Sequence, residues 1–229
     1  MQNQLGSFSS LLEWKESLRD WHYDPSVNST DYFYVGQFVG NWQEELEKII
    51  FHEDDLEIMS RVPSVLADSD TSNLFVKTRE DFVRWGYHEG NTTLYAKKNI
   101  PSYFNQIVER TGLQNPVVKI YKQEPGNTLP WHFDTFSEYA HRYNIEQTEI
   151  RKIKRYLMFL KDWHWGHILQ IGNNVLHQWR AGDTVMWPYG MYHLACNGGI
   201  TSKWTLQITG IEGENSLHNA GKRVFTLDG

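Results

Sequence analysis

Pro116-Val117-Val118-Lys119-Ile120-Tyr121-Lys122-Gln123-Glu124-Pro125-Gly126-Asn127-Thr128-Leu129-Pro130-Trp131-His132-Phe133-Asp134 is the stretch from which the architecture is read. Its first six residues are rich in the β-branched and aromatic types that suit a pleated surface, so Pro116 to Tyr121 reads as a strand. Glu124-Pro125-Gly126-Asn127 carries the chemistry of a turn, because Pro presets φ while Gly and Asn tolerate left-handed backbone. Leu129 to Phe133 then reads as a second strand. Downstream, Arg155 to Leu160, Ile168 to Ile171, Thr184 to Trp187, Met191 to Ala195 and Trp204 to Ile208 continue the series. Gly172-Asn173-Asn174, Ala181-Gly182-Asp183 and Asn197-Gly198-Gly199 punctuate it. Many short strands divided by turns predict a mainly β protein with flanking helices, built as a distorted double-stranded β-helix or jelly roll.

Upstream the texture is mixed. Ser9-Ser10 followed by Leu11, Leu12, Trp14, Leu18 and Trp21 predicts a short capped amphipathic helix. Asp31 to Val39 predicts a strand, and Asn41 to Phe51 has helical spacing. Residues 52–91 combine acidic loops with short strands. Ser102 to Arg110 predicts a helix with Tyr103, Phe104 and Ile107 as its apolar stripe, stopped by Gly112. No Pro/Gly/Ser linker cuts the chain, so residues 1–229 are expected to form a single domain. In it a helical or mixed part of about 1–115 packs outside a jelly-roll core of about 116–212.

Bulk properties narrow the function. Hydrophobic residues are 40% of the chain and ten are Trp, which supplies a core and argues against disorder. The net charge of −6 gives no electrostatic attraction for DNA or RNA. Cys196 is the only cysteine, so no intrachain disulfide can form. The first residues show neither a basic segment nor a continuous apolar run, and no stretch has the length of a membrane span. The expectation is a soluble, cytoplasmic protein with no membrane partner.

His132-Phe133-Asp134 carries the chemistry. Residues two apart on a strand share a face, so this imidazole and this carboxylate can aim at one point. His193, about sixty residues later in another apolar stretch, can close the set from a neighbouring strand. Two histidines and one carboxylate on one side of an octahedron leave three positions open, the arrangement of non-haem ferrous oxygenases. Lys203 stands ten residues beyond His193 at the start of the otherwise apolar Trp204 strand. A lysine pointing into a barrel is costly unless its charge is paired, and a dicarboxylate would pair it.

The ordered set Tyr121, His132-x-Asp134, Gly182-Asp183, His193 and Lys203 resembles the Fe(II)/2-oxoglutarate-dependent dioxygenase superfamily. It is most similar to the prolyl 4-hydroxylase-like branch, through His193-Leu194-Ala195-Cys196 with Lys203-Trp204 and through Leu160-Lys161-Asp162-Trp163. The resemblance spans roughly residues 116–210. It implies that His132, Asp134 and His193 hold Fe(II), that 2-oxoglutarate chelates the iron, and that O2 is the oxidant. It further implies that Lys203 binds the far carboxylate of 2-oxoglutarate, with Tyr121 hydrogen-bonding the same group and Thr205 assisting. Tyr156, rather than its neighbour Arg155, is expected to line the cosubstrate pocket. The implied reaction hydroxylates a peptidyl, prolyl-like or small-molecule substrate and releases succinate and CO2. Related halogenases replace the carboxylate with a small residue, so Asp134 favours hydroxylation. No family motif matches residues 136–149, and substrate recognition is not carried over.

Two other functions compete. An oxidative nucleic-acid demethylase would use the same triad, but Trp204 to Gly210 lacks the further arginine of those enzymes. A non-catalytic, cupin-like metal-binding module needs no inward cation. His164 and His167 are expected in a loop at the barrel mouth, His141 and His177 on the surface, and Cys196 as a small buried side chain. Trp131 and Trp187 are candidates to wall the pocket. Arg151, Lys152, Lys154 and Arg155 read as a solvated basic face.

Overall fold

The structure is a computed structural model that describes residues 32–58, 93–219 and 224–227. In chain order the elements are β1 (Phe33–Val39), α1 (Gln43–Glu47), β2 (Leu56–Ile58), β3 (Thr93–Lys97), α2 (Asn105–Arg110) and β4 (Gln114–Gln123). They continue with β5 (Thr128–His132), α3 (Ser137–Arg142), β6 (Ile153–Phe159), β7 (His167–Ile171) and β8 (Asn174–Leu176). β9 (Asp183–Met186), β10 (His193–Asn197), β11 (Lys203–Ile211) and β12 (Val224–Thr226) complete the set.

The strands form an eight-stranded sheet, ordered β12-β1-β9-β6-β11-β4-β3-β2, and a four-stranded sheet, ordered β5-β10-β7-β8. From β4 onward the chain passes between them: β4, β6, β9 and β11 lie in the large sheet, and β5, β7, β8 and β10 in the small one. Two four-stranded layers fed by such alternation are a jelly roll, the double-stranded β-helix expected from the turn pattern. β1 and β12 extend the large sheet beyond β9, and β3 and β2 extend it beyond β4.

The large sheet is buried on both faces. Between the layers, Leu157 and Phe159 of β6 and Val185 of β9 meet Leu169 and Ile171 of β7, together with Trp179, Trp187 and Met191. On the outer face, Tyr156 and Met158 of β6 and Leu206 and Ile208 of β11 meet Trp42, Leu46, Phe104 and Ile107. Residues one apart therefore serve different cores, as the period of two requires. At one end of the barrel Phe136 and Tyr139 pack with Ile150 and Ile153 to close a third, smaller cluster. Residues 136–149, charged and unassigned in sequence, thus form α3 and the start of a 3-10 turn at Gln147–Lys152.

Most strands fall where the sequence predicts them. The Asn41 to Phe51 helix shrinks to the five residues of α1, which lacks a side-chain cap. Instead the Trp42 indole donates to the Leu160 carbonyl at 2.9 Å, so a tertiary bond holds the entry to α1. The Ser102 to Arg110 helix forms as a 3-10 turn running into α2. The expected helix at residues 9–21 and most of residues 52–91 lie outside the described residues.

Gly182, before β9, adopts φ +90°, and a Cβ there would stand 1.9 Å from the Phe38 carbonyl oxygen. That oxygen belongs to β1, whose Phe38 amide in turn donates to the Gly182 carbonyl at 3.0 Å. Gly182→Ala is therefore expected to destabilise the fold by more than about 1 kcal/mol. Urea unfolding measures it, and an unchanged midpoint would contradict this account of the β1–β9 junction.

Candidate metal centre

β5 and β10 are antiparallel neighbours, and their register sets His132 opposite His193. The two imidazole centroids are 4.2 Å apart. Asp134 follows two residues after His132, just past the end of β5. One ligand atom from each of the three residues lies within 4.8 Å of the others. Among the described residues this is the one group of three or more His, Cys, Asp and Glu side chains so placed.

The electrostatics suit a cation. His193 Nδ1 lies 3.0 Å from the Met191 carbonyl, which can only accept, so Nδ1 carries the proton and Nε2 keeps its lone pair. Burial, with His132 beside it, pushes His193 down to about 3, so the ring is neutral at physiological pH. Nε2 lies 3.8 Å from Asp134 Oδ2. Burial works to raise the Asp134 pKa, but Arg155, His193 and His132 outweigh it and hold the carboxyl below its usual range. Arg155 Nη1 donates to Oδ1. Oδ2 is buried and has no hydrogen-bond partner among the described residues. A buried carboxylate oxygen without a partner is expensive. The lone pair that His193 Nε2 turns toward it would repel the anion but suits a divalent ion, and the three residues fit one.

Trp187 is buried with its ring 4.5 Å from that of His193 and walls the centre. Trp131 stands 42% exposed. Lys203 is buried, and its Nζ donates to the Ile168 carbonyl at 2.9 Å and stands 5.7 Å from the Trp179 ring centroid. Ile168 pairs with Cys196, and Ile171 with His193. At ~3.4 Å per residue this sets Lys203 about 10 Å along the barrel from the triad. Burial pushes its amine down to about 7. Lys203, Thr205, Gln207 and Thr209 alternate along β11 and share its inner face. Thr205 is buried and pairs in register with Tyr121 on β4, whose hydroxyl receives a long 3.5 Å contact from Gln207 Nε2.

Tyr156 does not join this wall. It belongs to the outer core, where its hydroxyl meets His218 Nδ1 and burial pushes it up to about 12. The strand alternation turns Arg155 inward in its place, against the expectation. Arg155 Nε donates to Thr209 Oγ1 at 3.0 Å, and the guanidinium lies 4.9 Å from the Phe136 ring centroid. Arg155 is thus a site residue that its basic neighbours disguised as part of a solvated face. His167 also departs from expectation: it lies on β7, 1% exposed, with Nε2 2.8 Å from the Thr201 carbonyl. It is a core histidine, whereas His141, His164 and His177 are exposed. Cys196 is partly buried, its Sγ 3.6 Å from Thr128 Oγ1.

No protein-family model matches the chain, and no curated protein matches its sequence. Solved structures similar to it include a predicted oxalate decarboxylase from Thermotoga maritima, 12% identical over 52% of this chain and 82% of that one, TM-score 0.34. A conserved protein with a double-stranded β-helix domain from Klebsiella pneumoniae is 18% identical over 43% and 70% of the two chains, TM-score 0.31. A cupin domain from Bordetella pertussis is 16% identical over 44% and 84%, TM-score 0.29. At these scores the fold assignment rests on the strand order alone. No helix among the described residues is long and apolar enough to cross a membrane.

The buried amine generates a prediction. With a folded pKa of about 7 and an ordinary value of 10.5, Lys203 is charged in the unfolded chain and neutral in the folded one between those limits. The unfolded state binds the extra proton, so this group's destabilising effect is full below about 7 and fades as pH rises toward 10.5. Lys203→Met is expected to melt higher than the parent near pH 6, with the gap narrowing as pH rises. Parallel melting curves across that range would contradict it.

Proposed function

We propose that the protein is an Fe(II)-dependent oxygenase that uses 2-oxoglutarate and O2 to hydroxylate a peptide side chain or small molecule, releasing succinate and CO2. The observation that carries this reading is the triad: two imidazoles and a carboxylate with an unpartnered buried oxygen, their ligand atoms gathered within 4.8 Å of one another. Three protein ligands leave half of an octahedron free, as an oxygenase requires. Bound iron would supply the redox chemistry, coupling oxidative decarboxylation of the keto acid to hydroxylation of the substrate.

The chain's own groups support the remaining tasks. His193 offers Nε2 because Met191 fixes its other nitrogen. Trp187, packed on His193, keeps water from that side. Lys203, deep in the same barrel, is an inward amine that a far carboxylate can engage, and an anion there favours its protonated form. Thr205 and Tyr121, paired across β11 and β4 two residues along from Lys203, would assist it. The net charge of −6 and the absence of arginine in β11 weigh against a nucleic-acid substrate.

A second reading draws on one specific contact. Lys203 Nζ already donates to the Ile168 carbonyl and faces Trp179, so the buried amine is satisfied without any cosubstrate. In that reading the chain is a non-catalytic, cupin-like metal-binding jelly roll. One assay separates the two. Protein supplied with Fe(II) and ascorbate is expected to convert 2-oxoglutarate to succinate, even without substrate, at a slow uncoupled rate. His193→Ala should lower this by roughly 100-fold or more, and Lys203→Met should raise the KM for 2-oxoglutarate by roughly 10-fold. Tight metal binding with no 2-oxoglutarate binding or turnover would overturn the oxygenase reading and leave the module.

A further inference from the structure

Arg155 meets Asp134 in a way that the triad itself does not require. Its backbone lies on β6 in register with Thr209 of β11, and the same alternation that sends Leu157 and Phe159 between the sheets sends Arg155 toward β5. Two contacts fix the guanidinium independently of the carboxylate. Nε donates to Thr209 Oγ1 at 3.0 Å, and the plane rests on the Phe136 ring at 4.9 Å. Phe136 holds that place with a left-handed backbone, φ 54°, two residues after Asp134. Nη1 is then left to donate to Asp134 Oδ1, while Oδ2 faces His193 Nε2 at 3.8 Å. The two carboxylate oxygens are thereby made unequal: one is spent on a fixed donor and the other is presented to the centre.

We infer that Arg155 is the positioning residue of the metal centre, restricting Asp134 to a single coordinating oxygen and so keeping a coordination position open. This rests on the proposed metal-binding role of the triad. A carboxylate can bind a divalent ion through one oxygen or both. Were Asp134 to use both, it would take one of the three positions that a bidentate cosubstrate and a further ligand must share. Arginine suits the task better than lysine, because its planar fork holds several donors in fixed directions. The guanidinium also sets a positive charge beside the ion. It therefore weakens metal binding by repulsion while favouring an anionic cosubstrate.

Co(II) serves as the probe, since its visible absorption reports coordination number and geometry. Arg155→Met is expected to change the Co(II) spectrum and to weaken 2-oxoglutarate binding to the Co(II) protein by roughly tenfold or more, with Co(II) affinity kept or increased. Arg155→Lys, which restores one donor, should return the spectrum part of the way. Thr209→Val keeps the charge and removes only the Nε anchor, so it should give the same spectral change at smaller amplitude. Far-UV and near-UV circular dichroism check that each variant folds, and Thr209→Val decides the matter if Arg155→Met does not. Variants whose Co(II) spectrum and 2-oxoglutarate affinity both match the parent would overturn the inference. A parent that binds Co(II) but not 2-oxoglutarate would defeat the oxygenase reading alone, and the spectral comparison would still decide the role of Arg155. A parent that takes up no Co(II) would overturn both.

Discussion

The cross-strand pair His132–His193 is the constraint on which the rest of this protein depends. Strand pairing between β5 and β10 fixes it, so the separation of the rings is a property of backbone register rather than of side-chain choice. A slip of one residue on either strand would turn one imidazole to the opposite face. The register is held from the other side as well, because His193 also pairs with Ile171 on β7. β10 is therefore locked between two neighbours at the position of the candidate metal centre, and Asp134 needs only the two-residue continuation of β5 to complete the set.

The large sheet explains how polar groups survive in such an interior. Its inner face divides by position: toward one part lie Leu157, Phe159 and Val185, packed on Trp179 and Trp187. Along β11 the same face carries Lys203, Thr205, Gln207 and Thr209. Each polar member with a described contact has a matched one: Lys203 with the Ile168 carbonyl, Gln207 with Tyr121, Thr209 with Arg155. Asp134 Oδ2 departs from this pattern, and a departure from satisfied burial is where function is sought. The same exception gives Arg155 its meaning, because it shows that the charge beside Asp134 satisfies one oxygen and leaves the other.

Much of this was legible in the sequence, and the limits have physical causes. The jelly roll follows from short apolar runs and glycine-bearing turns, and His132 with Asp134 follows from the period of two. Lys203 stood out because a charge opens an apolar strand. The direction of β6 was not legible. Arg155-Tyr156-Leu157-Met158-Phe159 has apolar residues at both parities, since both faces of this sheet are buried, and nothing local says which face looks toward the small sheet. The sequence alone therefore favours Tyr156 as the pocket residue and groups Arg155 with Arg151, Lys152 and Lys154. His167 reads as a loop residue for a related reason: its acceptor, the Thr201 carbonyl, comes from a distant turn. α1 is shorter than the helix its sequence predicts because the helical spacing of residues 41–51 carries no stop signal, while its entry is held by a bond to Leu160.

X-ray absorption at the iron K edge of the anaerobic Fe(II)-loaded protein tests the central claim most directly. The expected result is a six-coordinate ion with only nitrogen and oxygen neighbours, multiple scattering from two imidazoles, and a change of the nearest shell when 2-oxoglutarate is added. A four-coordinate closed site, a single imidazole, or a shell indifferent to the keto acid would contradict it.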